Sequence, residues 1–309
     1  MSIRALETRR NLAGTNAEFE TSLVAPLSLV VPEVFSQDGV AQKARQACSM
    51  LDNLNRAWKA LPDEARSVGK QALLQEESEC SAELASQIPT AMDHAPLPER
   101  LSYADEGTPS RAECQPLIEE DAANIRSALE YISWRVEELP LSGRLVQEVH
   151  GIVLDSVRYD KATPGWFRTS PVWMGNPNSN IGEAMFVAPN VEDMADAWRE
   201  LERQMNVEME GSKGLVSVAL EHYQFETIHP FLDGNGRTGR IVTIQSLAQR
   251  GLIKGPVLPI SWALEQDMFA YFTGFLSVQQ QNDYRTWVLM FLDAVELAAK
   301  HAKELLQGI

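Results

Sequence analysis

The stretch His229-Pro230-Phe231-Leu232-Asp233-Gly234-Asn235-Gly236-Arg237-Thr238-Gly239-Arg240 puts an imidazole, a carboxylate, an Asn between two Gly, and two guanidinium groups into 12 residues. Helical periodicity precedes and follows it, so it reads as a loop joining two helices. Gly234 and Gly236 let the backbone adopt positive φ and approach a ligand closely. Exposed N–H groups there, at the start of the following helix, make a nest for an anion with the helix dipole behind it. Arg237 and Arg240 stand three apart and share a helix face, so their forked donors suit a polyphosphate. Asp233 is placed to hold Mg²⁺ against phosphates. A histidine, with an ordinary pKa of ~6.5, suits a general base near neutral pH, which makes His229 the candidate. A plain Gly-Asn-Gly turn and a solvated pair of arginines is the competing reading, and each element alone would support it.

Outward from that loop the chain reads as helix. Upstream, Leu215 to Thr227 leads into it, preceded by Val191 to Glu210. Downstream come Arg237 to Gln249, Trp262 to Val278 and Tyr284 to Leu306. Val172-Trp173-Met174 and Ala184 to Val187 are two short β-prone runs around Gly-Asn-Pro-Asn-Ser-Asn-Ile-Gly-Glu, and predict a hairpin with a long loop. Ser142 caps a helix expected through Val157, and Pro116 opens one expected to reach Leu139. Residues 90 to 116 read as a long loop. Ala44, Cys48, Leu51, Leu54, Trp58 and Leu61 mark a helix ended by Pro62, and a second runs from about Glu64 to Ser86. Residues 1 to 40, broken by Pro26, Pro32 and Gly39, predict an extended arm.

The chain has 309 residues, 44% hydrophobic and 23% charged, which fits one large or two modest globular domains. Its net charge of −16 argues against nucleic acid as a partner. Cys48, Cys80 and Cys114 form no CxxC pair, so free thiols in a reducing compartment are expected rather than disulfides or zinc. No apolar run reaches bilayer length; Leu23 to Phe35 is interrupted by Pro26, Ser28 and Pro32, and no signal peptide is evident. The expectation is a cytoplasmic protein without membrane or nucleic-acid partners. His150 and His222, both on helices, are expected to be buried and structural.

The 229–240 stretch matches the Fic signature HxFx(D/E)GNGRxxR at every specified position. Flanking residues agree: Phe225-Glu226-Thr227-Ile228 runs into the His, and Pro164-Gly165-Trp166-Phe167-Arg168 resembles the approach to that family's hairpin, the flap. Gly251-Leu252-Ile253, Pro256-Val257-Leu258 and Ser261 resemble its downstream region. The Trp58 helix, Leu61-Pro62 and Leu73-Leu74 resemble the helical N-terminal region of one subgroup. The resemblance implies a mostly α fold, a helical bundle with a β-hairpin flap. Its divisions would be an arm over 1–40, a helical N-terminal region over 41–140 packed on the core, a catalytic domain over 141–283 and a C-terminal helix over 284–309.

The function implied is protein adenylyltransfer: AMP moves from ATP to a Ser, Thr or Tyr hydroxyl of a target protein that docks on the hairpin 170–188. His229 would deprotonate the hydroxyl and Asp233 would bind Mg²⁺. Gly234, Asn235 and Gly236 would surround the α- and β-phosphates, and Arg237 and Arg240 would hold the β- and γ-phosphates. Phe231 would anchor the loop in the core. Tyr271, of the pair Tyr271-Phe272, would contact the base, although Met268 stands where the family usually has Arg. Rival readings are a Fic-type enzyme using another nucleotide, transferring another phosphate group or removing AMP, and a catalytically silent interaction module. Many such proteins carry an inhibitory helix, (S/T)xxxE(G/N), whose Glu pairs with the second motif Arg. Against Cys80-Ser81-Ala82-Glu83-Leu84-Ala85-Ser86, a gap-free reading puts Leu84 at the Glu position. A one-residue shift supplies Glu83, the inhibitory candidate, with Glu79 on the same face; a solvated acidic face is the alternative.

Overall fold

The computed structural model describes residues 27–87, 111–174, 186–254 and 258–309. They form eleven α-helices and one two-stranded sheet, the mostly α architecture expected. The centre is a pair of helices, α7 (Gly211–Ile228) and α8 (Asn235–Gln249). Residues 214 to 228 of α7 are all buried, and α8 is buried on nearly every side. A helix covered all round lies in the core, so the six residues joining these two are fixed at both ends by the most enclosed part of the molecule.

The other helices cover that pair. α1 (Leu27–Ser36), α2 (Val40–Ala60), α6 (Val191–Met205) and α11 (Tyr284–Gln307) pack against α7. Val40, Ala44, Ala47, Leu51 and Leu54 give α2 its buried stripe, and it lies along α11. α3 (Asp63–Gln87) pairs with α4 (Arg111–Arg135), and both reach α8. The N-terminal helices are therefore packed on the core, as expected. α5 (Gly143–Val153) is capped by Ser142, whose side chain accepts from the Leu145 N–H at 3.4 Å. α9 (Ile260–Gln266) packs on α3, and α10 (Met268–Gln281) on α11. β1 (Trp173–Met174) and β2 (Phe186–Val187) are antiparallel, pairing Trp173 with Val187 and Met174 with Phe186. No helix among the described residues is long and apolar enough to cross a membrane.

Several local expectations change. Residues 27–36, expected within an extended arm, are helical: Leu27, Val30, Val31 and Val34 form an i, i+3, i+4, i+7 stripe on α7, and that burial outweighs the backbone bond Pro32 removes. Residues 1–26 of the arm lie outside the described residues, as do 90–110 of the expected long loop. α4 starts at Arg111 rather than Pro116. The Ser142 helix stops at Val153, and a 3₁₀ turn, Val157–Ala162, follows. The expected helix from Trp262 to Val278 is two helices, because the Asp267 side chain caps a fresh start by accepting from the Ala270 N–H at 2.8 Å.

Candidate active site

His229 ends α7 in the left-handed region, φ 47°, one of three non-glycine residues at positive φ among those described. Its Nδ1 lies 3.2 Å from the Glu226 carbonyl. A carbonyl only accepts, so Nδ1 carries a proton, and in the neutral ring the lone pair is on Nε2. The backbone tautomer lock is the arrangement a general base requires.

Three devices hold the following loop. The Asn235 side chain closes it, accepting from the Phe231 N–H at 2.8 Å and donating to the Phe231 carbonyl at 2.9 Å. Phe231 is fully buried and stacks on His150 with ring centroids 3.7 Å apart, which fulfils its anchoring role. His150 accepts the Gly165 N–H at Nδ1 and donates from Nε2 to the Asp233 carbonyl, both at 2.9 Å. It is thus a neutral imidazole of fixed tautomer, and burial pushes its pKa down to about 4. Gly234 has φ 75° and would bring a Cβ within 3.0 Å of Leu154. α8 starts immediately after it, so the N–H groups of that first turn have no carbonyl within the helix.

The two arginines have different surroundings. Arg237 is buried between two carboxylates: Nη1 lies 3.1 Å from Asp121 Oδ2 and Nη2 lies 3.1 Å from Asp233 Oδ1. Nη1 also donates to the Tyr159 hydroxyl at 2.8 Å. Burial works against its charge, but Tyr159, Asp121 and Asp233 outweigh it and raise its pKa. Arg158 pairs with the same Asp121. Arg237 is therefore held by Asp121 and Tyr159 and in turn donates to Asp233.

Arg240 is also buried, but Nε donates to Ser81 Oγ and Nη2 to the Ser81 carbonyl, each at 3.0 Å. α3 thus meets the motif through Ser81. Glu77, one turn back on the same face, is fully buried; its carboxylate accepts from the Ser261 N–H at 2.9 Å and hydroxyl at 2.5 Å. Burial is the main cause that raises its pKa to about 7, with Ser261 and then Arg240 opposing. Glu83 lies two residues beyond Ser81, a spacing that turns it to the other side of α3.

Asp233 Oδ1 accepts from the Gly234 N–H at 2.6 Å as well as from Arg237. Among the described residues no three His, Cys, Asp or Glu side chains converge as a metal cage. One fixed carboxylate suits an ion that arrives with phosphates, since Mg²⁺ is commonly held by one or two carboxylates plus substrate oxygens. Tyr271 is buried, and its hydroxyl donates to His222 Nε2 at 3.2 Å. His222 passes its Nδ1 proton toward Thr243 Oγ1 at 3.0 Å, and Thr243 donates to the Gly239 carbonyl at 2.8 Å. Tyr271 is thereby linked through His222 and Thr243 to the Gly239 carbonyl of α8. His222 is structural, as expected, with its pKa pushed by burial to about 3.

Asp121, Tyr159, Arg168 and Ser81 were not readable as site residues. Each reaches the loop from a distant segment; Arg168 alone had a local signal, a cation between the turn-forming Gly165 and the first strand.

Residues 140–247 match the Fic/DOC family. Over those residues the chain is similar to a Fic domain. The domain lies within solved folds of that kind: a Fic family protein from Desulfovibrio desulfuricans superposes with a TM-score of 0.59 at 17% identity, over 92% of this chain and 76% of that one. A Fic domain containing signaling protein from Bacteroides thetaiotaomicron gives 0.56 at 19% identity, over 84% and 98%. The protein adenylyltransferases Fic of Drosophila ananassae and Drosophila grimshawi are each 30% identical over 171 residues, 55% of this chain. That match spans about a third of the length of these curated relatives, 31% and 32%.

Proposed function

We propose that this protein is a protein adenylyltransferase, moving AMP from ATP to a Ser, Thr or Tyr hydroxyl of a target protein with release of pyrophosphate. The observation that carries the reading is His229, whose Nδ1 is committed to the Glu226 carbonyl so that Nε2 is the base, at the mouth of a loop that opens a helix. The Drosophila relatives bear the same activity in their names. In the step, the target oxygen bonds to the α-phosphorus while the bond from that phosphorus to the α,β-bridging oxygen breaks. The hydroxyl proton goes to Nε2. Gly234, Asn235 and Gly236 surround the phosphates at the α8 N-terminus, where the helix dipole opposes growing negative charge. Arg240 grips the γ-phosphate, sharing its guanidinium with Ser81. Arg237 serves by orienting Asp233. Asp233 would hold Mg²⁺, which would supply neutralising charge to the phosphates. The target segment lies along the hairpin 170–188 by main-chain pairing.

The test is incubation with ATP, GTP, UTP and CTP, each labelled at the α-phosphate, in parallel. Label transferred from ATP alone or foremost supports the reading. Preference for another nucleotide moves it to a different Fic-type transfer, release of AMP from a pre-labelled target to the reverse reaction, and no label from any to a silent interaction module.

A further inference from the structure

We propose that Arg168 is the positioning residue for His229, fixing the base and both stems of the hairpin with a single side chain. The inference rests on the reading of His229 as base. Arg168 is 1% exposed. Its Nε donates to the His229 carbonyl at 2.8 Å, and Nη2 to the Ile228 carbonyl at 3.3 Å. Nη2 also donates to Pro189 at 2.6 Å, and Nη1 to Ser170 at 3.0 Å, again at backbone carbonyls. Its backbone N–H donates to the Pro230 carbonyl at 2.9 Å.

Among the described residues every hydrogen-bond partner of this cation is a main-chain carbonyl, and no carboxylate pairs with it. A buried guanidinium without a counter-charge is costly unless its donors are met, so its retention needs a cause. Burial lowers its pKa to about 10, which keeps it charged at neutral pH.

The cause is visible in what the carbonyls belong to. Ile228 and His229 supply the last carbonyls of α7, at the negative end of its dipole, where a cation is stabilised. His229 holds a left-handed backbone, which is strained for a residue with a Cβ. Two bonds from Arg168 hold that conformation, and with it the direction of the ring toward the Glu226 carbonyl. Ser170 precedes β1 and Pro189 follows β2. The same planar fork therefore sets the distance between the base and the edge that presents a hydroxyl. Lysine, with three N–H donors on one compact nitrogen, cannot reach four carbonyls spread as these are.

The test uses the full chain with Arg168→Lys. Ring ¹⁵N NMR, with the His229 signal assigned by His229→Ala, reads the tautomer without any substrate. Wild type is expected to show His229 protonated at Nδ1. In Arg168→Lys the ring is expected to move toward the Nε2-protonated form, the transfer rate to fall by ~10²-fold, as for a base displaced by about an ångström, and the Kd for ATP to change by less than about threefold. An unchanged tautomer and rate in a folded Arg168→Lys overturns the proposal; so does an equal loss of ATP binding and transfer. If Arg168→Lys does not fold, Arg168→Gln is examined with methylguanidinium: return of the Nδ1-protonated signal supports the proposal, and a folded protein without that return overturns it. A wild type that transfers no AMP overturns the adenylyltransfer reading alone, and the tautomer comparison still decides Arg168.

Discussion

At the scale of single residues, the site depends on tautomers set by backbone groups. Glu226, Gly165 and Asp233 carbonyls or N–H groups decide which nitrogen of His229 and His150 bears a proton. For His150 the folded pKa of about 4 lies below the ordinary 6.5, so the unfolded chain binds more protons between those values. Its contribution to stability is full above pH 6.5 and is lost as pH falls toward 4. His150→Gln, with an amide in place of the ring, is expected to flatten that part of the acid limb in urea unfolding measured from pH 7 to pH 4, while costing about 1–3 kcal/mol at pH 7 through the lost stack on Phe231. An acid limb as steep as wild type contradicts it. Gly239 has no freedom either: a Cβ there would sit 2.5 Å from Glu226 Oε1 and 2.8 Å from Phe225 Cδ1. Gly239→Ala is expected to destabilise by about 1–3 kcal/mol, read as a lowered urea midpoint at unchanged slope. Arg240→Ala is expected to weaken ATP more than ADP in calorimetric titration, and an equal loss places Arg240 away from the γ-phosphate.

At the scale of elements, α3 carries a titrating contact with the core. Glu77 is an acid whose folded pKa, about 7, exceeds its ordinary 4.5, so between those values the folded chain holds more protons than the unfolded one. Stability on this account falls as pH rises from 4.5 to 7. The shift sets an upper bound of about 3 kcal/mol. Glu77→Gln keeps an acceptor for the Ser261 N–H and removes the titration. Its urea midpoint is expected to gain on wild type as pH rises from 5 to 7.5; a constant offset sinks the assignment. The same helix bears on inhibition. Ser81 holds Arg240, and Glu83 is turned away from Ser81 by its spacing, so Glu83→Gly is expected to leave self-modification with labelled ATP unchanged. A large rise restores Glu83 as the brake. These helices also show where periodicity misleads: Pro32 disguised α1, although Leu27, Val30, Val31 and Val34 keep the helical stripe, and a continuous apolar period hid the cap at Asp267 that splits α9 from α10.

At the scale of the molecule, the motif loop was legible because its chemistry is contiguous in sequence, and the helices around it because their apolar stripes repeat locally. What could not be read is what the fold assembles across the chain. Ser81 and Arg240 are 159 residues apart, and Asp121 reaches Arg237 from a helix outside the stretch that matches the Fic/DOC family. Composition and spacing carry no record of such pairs. The contact of Tyr271 with His222, 49 residues away, is of the same kind. Ser81, Asp121 and Tyr271 brace the two helices that flank the loop whose first residue is His229, and the proposed chemistry rests on that imidazole. The most direct measurement is single-turnover transfer from α-phosphate-labelled ATP by wild type and His229→Ala, with ATP binding measured on the same samples. The account predicts a fall of ~10²–10⁴-fold in transfer at nearly unchanged ATP affinity; transfer at the wild-type rate by a folded His229→Ala contradicts it.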